Sequence, residues 1–138
     1  MFKALIAAIL LSGWTTAGLA QTSAEIASYK LAVEAMKAGD WETARAEAQR
    51  AGPVASDIIE WRRFRASEGD FVSVRKFLSR RADWPGLKLL RRRSETNVPV
   101  GSRPLEVIDF FSSQPPQTGA GARALVAAYR SRGLHAEA

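Results

Sequence analysis

The sequence predicts an all-α chain, a right-handed superhelical solenoid built from short antiparallel helix hairpins. Three observations carry that prediction. Gly39-Asp40-Trp41 and Gly69-Asp70-Phe71 are one turn device met twice, thirty positions apart. In it, Gly supplies the left-handed residue that closes one helix, and the Asp oxygen accepts the free N–H groups that open the next. Asp83-Trp84-Pro85-Gly86 is a related opening. A helix-turn-helix unit returning every 30–40 residues or so is how a stacked helical array reads in sequence. No window alternates apolar and polar residues over the length of a strand, so no sheet is expected.

Taken in order, Thr22-Ser23-Ala24-Glu25 fits a capping box, and the first helix follows with Ile26, Tyr29, Val33 and Met36 at helical spacing, ending at Gly39. The second runs from Trp41 to about Ala51, with Ala44, Ala48 and Ala51 as a close-packing stripe and Trp41 as the wedge, and stops at Gly52-Pro53. Pro53 suits the first turn of a third helix, expected to reach Glu68 with Val54, Ile58, Trp61 and Phe64 inward. Arg65 falls inside that apolar sector. A charge there is costly unless paired; Asp57, Glu68 or an acid on a neighbouring helix would serve, and a snorkelling stem is the simpler reading.

Asp70 opens a fourth helix with Phe71, Val74, Phe77 and Leu78 inward and Arg75, Lys76, Arg80 and Arg81 on other faces or in its last turn. Trp84-Pro85-Gly86 opens a fifth, with Leu87, Leu90 and Ser94 on one face and Arg91-Arg92-Arg93 near its end. Three adjacent residues cannot share a helix face, so these arginines read first as favourable charge at a helix C-terminus and second as an anion site. Asn97 to Arg103 is a connection. Pro104 to Ser113 is a sixth helix, with Ser102 as its cap and Leu105, Ile108 and Phe111 inward, broken by Pro115-Pro116. Thr118 caps a seventh, with Ala122, Leu125, Val126 and Tyr129 inward, which closes at Gly133. Leu134 to Ala138 reads as the opening of an eighth. An array normally finishes in a polar capping repeat, so residues 21–138 are expected to be the N-terminal part of a longer protein. Hairpins of this size and spacing are tetratricopeptide-like.

The composition narrows the function. The chain has 138 residues, 46% hydrophobic and 25% charged, as folded proteins do. It has no Cys, which excludes disulfides and thiolate metal sites. Lys3, the apolar run from Ala4 to Leu11 and the small residues of Gly18-Leu19-Ala20 lay out a secretory signal peptide over residues 1–20. The run is too short to span a membrane, and Gln21 stands where a lipoprotein needs Cys, so no lipid anchor is expected. A periplasmic location follows. The net charge of +6 then points to an anionic cell-wall polymer rather than to nucleic acid.

Chemistry is sparse. The one His, His135, lies four residues from the end, which leaves no Ser-His-Asp set and no metal cluster with His. The run Gly119 to Ala122 sits at a helix start without a following Lys-Ser or Lys-Thr, so it is no phosphate loop. Glu34, Glu42, Glu47, Glu60, Glu68 and Glu95 are scattered and read as solvated helix-face charges, with no setting that raises a pKa for acid catalysis. Trp41 and Trp61 read as core, although aromatic faces also bind sugars. No catalytic, cofactor-binding or metal-binding residue is expected.

The mature chain, over about residues 25–138, resembles the N-terminal superhelical region of bacterial soluble lytic murein transglycosylases. The resemblance is carried by Ala38-Gly39-Asp40-Trp41 with Ala44; by Asp57-Ile58-Ile59-Glu60-Trp61-Arg62; by Gly69-Asp70-Phe71 leading into Phe77-Leu78; by Asp83-Trp84-Pro85-Gly86 with Leu89-Leu90-Arg91-Arg92; and by Ile108-Asp109-Phe110-Phe111 followed by Pro115-Pro116-Gln117-Thr118-Gly119. It implies a periplasmic arc of short helices packed on a C-terminal lysozyme-like domain of the same protein. That domain cleaves the β-1,4 bond between N-acetylmuramic acid and N-acetylglucosamine, leaving a 1,6-anhydro end. Its Glu-Ser and Gly-Leu-Met-Gln motifs are not in this sequence. The expected function is therefore the scaffold portion of such an enzyme, inactive alone, with peptidoglycan glycan strands as a weak electrostatic partner. The alternative is a free-standing exported helical-repeat adaptor that binds a protein or peptide.

Overall fold

The computed structural model describes residues 16–134. Within them the chain is all helical: α1 (Thr16–Lys37), α2 (Trp41–Arg50), α3 (Pro53–Arg65), α4 (Phe71–Arg80), α5 (Leu87–Ser94), a 3₁₀ turn (Glu95–Asn97), α6 (Pro104–Ser112) and α7 (Gly119–Ser131). There is no strand among the described residues. They form two compact units that divide between Pro53 and Val54. No described helix is long and apolar enough to cross a membrane. Residues 1–15 of the expected signal peptide and residues 135–138, with His135, lie outside the described residues.

The first unit is the hairpin of α1 and α2. α1 does not start at the Thr22 capping box; it is already helical from Thr16. Thr22, Ser23 and Ala24 continue a helix rather than begin one, so the capping residues are exposed mid-helix positions. The turn is as the sequence predicts. Gly39 has φ +78°, its N–H donates to the Met36 carbonyl at 3.1 Å, and the Asp40 N–H reaches back to Ala35 at 2.9 Å. These two bonds satisfy carbonyls at the end of α1 in the Schellman arrangement. The Thr43 N–H then donates to Asp40 Oδ1 at 3.1 Å, opening α2. Hydrogen bonding from Thr43, side chain first and then N–H, holds the Asp40 carboxyl below its ordinary pKa. Ala32, Ala44 and Ala48 are wholly buried, so the core of this unit is made of methyl groups. Trp41 is half-buried and Ile26 is exposed, against the expectation that both face inward. Small side chains let two helices approach closely, and a large one at the turn is then left over the edge of the contact.

The second unit, α3 to α7, has an aromatic core. Phe64 packs edge-on against Phe77 with centroids 5.6 Å apart, Phe77 against Trp84 at 5.6 Å and Trp84 against Trp61 at 6.3 Å. Phe71 meets Phe110 at 5.5 Å, and Phe110 meets Phe111 at 5.0 Å. Such edge-to-face pairs add about 0.5–1.5 kcal/mol each to the burial of the rings. Val74, Leu90 and Val107 fill the space between them. α4 begins on the repeated device: the Ser73 N–H and hydroxyl donate to the two Asp70 oxygens at 2.9 and 2.6 Å. α7 begins as expected on Thr118, whose Oγ1 accepts from the Gly121 N–H at 3.1 Å.

Four expectations are corrected here. α3 ends at Arg65, short of Glu68, because Ser67 takes the left-handed position at φ +67° and the Glu68 N–H closes on the Arg63 carbonyl at 3.0 Å. α3 buries Ala55, Asp57, Ile59 and Phe64, while Val54 is exposed. α6 is entered through Arg103 in a left-handed conformation with no side-chain cap, not through Ser102, and buries Val107, Phe110 and Phe111 with Leu105 exposed. α7 buries Gly121, Ala124 and Ala128, while Leu125, Val126 and Tyr129 are only half-buried and Ala122 is exposed. In α3 and α7 the reason is the same: alanine or glycine marks the line of closest backbone approach, and bulkier neighbours flank it.

Candidate functional site

Charge divides sharply between the two units. Residues 22–53 hold four Lys or Arg against five Asp or Glu, whereas residues 54–134 hold fifteen against eight. The basic balance of the chain therefore belongs to the second unit. Several of its arginines lie over aromatic rings. Arg65 sits 4.4 Å above the Trp61 ring and Arg62 5.2 Å from it; Arg81 is 5.8 Å from Trp84; Arg91 is 4.3 Å from Phe110. A guanidinium over a ring face gains about 0.5–2 kcal/mol and keeps its edge free to donate hydrogen bonds.

One corner of this unit gathers residues far apart in sequence. Trp61 Nε1–H donates to the Pro85 carbonyl at 3.0 Å. Arg65, stacked on Trp61, lies against Gly86, where a Cβ would come within 3.0 Å of its Nη1. Arg65 thus answers its apolar setting by stacking, not by pairing with Asp57 or Glu68. Asp57 is instead buried and takes both Arg80 and Arg81, the latter through Nε at 2.6 Å. A buried carboxylate held by two partly exposed cations ties α3 to the end of α4, and loss of both arginines would leave a costly buried charge.

An open groove of about 540 Å³ runs between α4, α5 and α6. Val72, Leu78 and Phe110 form its apolar floor, and Arg75, Lys76 and Arg91 stand around it. Arg75 bridges to α6 through Glu106 at 2.8 Å and Asp109 at 2.9 Å. Arg91 donates to the Phe110 carbonyl. Burial holds the Arg91 pKa below the ordinary arginine value, against the raising pull of Glu95 and Asp109. A smaller hollow of about 270 Å³ is lined by Ser67, Arg92, Arg93, Thr96 and Thr118. Arg92 and Arg93 are exposed there, as the reading of charge at a helix end requires.

The glutamates separate into two kinds. Glu34 pairs with Lys37, Glu47 with Arg50 and Glu60 with Arg63, each within its own helix, and Glu42 and Glu68 are exposed. Glu95 is different: it is 2% exposed, so its reading as a solvated helix-face charge is wrong. The 3₁₀ turn points it inward, where its carboxylate accepts from the Gln117 N–H at 2.8 Å and from the Thr118 hydroxyl. It thereby caps the entry to α7, where an anion is favoured by the helix dipole. A Cβ on Gly121 would lie 2.5 Å from Glu95 Oε2, so that glycine makes room for the carboxylate. Nothing local in the sequence marks Glu95, because its partners lie more than twenty positions on. Among the described residues no group of three acids or histidines is placed to hold a metal ion. No family model, curated protein or solved structure matches the chain.

Proposed function

We propose that the chain is the helical scaffold portion of an exported murein lytic transglycosylase, one stretch of a superhelical helix array. In this reading it holds the anionic wall polymer by charge, and cleavage falls to a lysozyme-like domain outside residues 1–138. The observation that carries the reading is the corner just described. Asp57, Trp61, Arg81, Trp84, Pro85 and Gly86 come from blocks that carry the resemblance or adjoin them, and they pack on one another. Two blocks separated in the sequence thus pack as one feature of the fold, which supports reading them together. The concentration of cations in the same unit supplies the electrostatic half of the reading.

Glycosidic cleavage requires a carboxylic acid kept protonated beside the scissile oxygen in a sugar-sized cleft. Glu95, the one fully buried glutamate among the described residues, is committed as an acceptor at the start of α7. The test is sedimentation of the 138-residue chain with purified peptidoglycan across a salt series, followed by analysis of soluble products. Binding at low salt, release near roughly 0.5 M where screening is short-ranged, and no 1,6-anhydro-muropeptides are expected. Failure to pellet at low salt removes the wall-polymer role, and anhydro products above a buffer control would mean that the chain itself cleaves.

A further inference from the structure

We infer that the groove between α4 and α6 binds a short acidic peptide, with Arg91 and Lys76 holding its carboxylates. The argument begins with charge. Of the three cations around the groove, Arg75 is already neutralised by Glu106 and Asp109. Arg91 is half-buried, yet among the described residues no carboxylate lies within 4 Å of it, and its one hydrogen bond goes to the neutral Phe110 carbonyl. Lys76 is exposed at the same groove and makes no ion pair among the described residues. A partly desolvated guanidinium normally finds an anion in contact; here Glu95 and Asp109 act on Arg91 only from beyond ion-pair distance, and Lys76 has no ion-pair partner among the described residues.

The remaining surface selects among anions. Val72 and Leu78, both partly exposed, offer apolar surface beside the charges, which a bare phosphate or sulfate leaves uncovered. Ser79 and Ser112, which line the groove, spend their hydroxyl protons on the carbonyls of Lys76 and Asp109, which leaves their oxygens acceptors for amide N–H groups. Cations for carboxylates, acceptors for amides and an apolar floor for small side chains together describe a peptide with two negative charges. About 540 Å³ lies inside the range in which proteins hold small ligands. This goes beyond the murein reading and does not depend on it: a chain that ignores whole peptidoglycan can bind the peptide, and the reverse.

The test is an amide chemical-shift titration of the full chain with N-acetyl-alanyl-glutamyl-alanine, with its fully amidated glutaminyl counterpart, and with inorganic phosphate. The acidic peptide should move the amides of residues 72–79 and 109–113 at about 1 mM, and the amidated one should bind about tenfold more weakly. K76Q, at an exposed position that should leave the melting temperature unchanged, should weaken binding by about fivefold, and R91Q by more than tenfold. Three results would overturn the proposal: no shifts in those segments at about 10 mM peptide, equal binding of the amidated peptide, or phosphate binding as tightly as the peptide.

Discussion

The hairpin α1–α2 and the unit α3–α7 open a helix with the same three-residue device, and they use it under different loads. Asp40 and Asp70 accept from the N–H three residues on, at 3.1 and 2.9 Å, and hydrogen bonding lowers the pKa of both. The aromatic residue that follows is half-buried in one case, Trp41, and 5% exposed and packed edge-to-face with Phe110 in the other, Phe71. A hairpin with an alanine core needs no large anchor, whereas a multi-helix core closes around one. The charge contrast runs in parallel: the first unit is nearly balanced and its described ion pairs join residues three apart, while the second is strongly basic and has ion pairs that join different helices. A shared turn motif therefore says where helices begin and little about what they carry.

The largest expected effect sharpens that contrast directly. Phe71→Ala should destabilise the second unit by about 4 kcal/mol, as for other buried aromatics, and Trp41→Ala the first by only about 2 kcal/mol, read by urea unfolding of each variant. Equal losses would erase the difference in load. The next effect tests close packing at α7. Alanine normally stabilises a helix over glycine by about 0.5–1 kcal/mol. Gly119→Ala, which meets open space, should do so. Gly121→Ala should instead cost about 2 kcal/mol, because its Cβ would strike Glu95 and Phe111.

Smaller still is the cap. Asp70→Ala should cost about 1 kcal/mol, and Asp40→Ala should destabilise in the same direction, since both carboxylates accept from the N–H three residues on. Both folded carboxyls titrate below the unfolded value of about 3.9. Their contribution is thus present above that pH and is lost as the pH falls through the lower folded values. Acid melting curves of the two variants, flatter than that of the parent below about pH 4, check the sign. The smallest change stabilises: Ser67→Gly relieves a left-handed serine at φ +67° and should gain about 0.5–1 kcal/mol in the same unfolding assay.

The starts of α2, α4 and α7 were legible because capping is local, whereas the expected start of α1 at Thr22, end of α3 at Glu68 and cap of α6 at Ser102 were not met. Asp40, Asp70 and Thr118 each act on an N–H three residues away. The inward faces were read one or two positions off in α3, α6 and α7. An apolar stripe drawn through the largest side chains misses contacts made at Ala55, Gly121, Ala124 and Ala128, where smallness is what matters. The candidate groove was not legible at all: Arg75, Arg91 and Phe110 are brought together from three helices, and no spacing encodes that. The charge partition was present in the residue counts, but it needs the division at Pro53 to become visible.

On the proposed reading, the second unit, not the hairpin, meets the anionic wall polymer. Co-sedimentation with purified peptidoglycan tests it in two variants, both removing exposed cations. One carries K88Q, R92Q and R93Q in α5, and the other K30Q and K37Q in α1. The α5 variant should lose most of its low-salt binding and release at a markedly lower salt concentration, while the α1 variant should pellet like the parent. Equal loss in both, or loss only in the α1 variant, would contradict it.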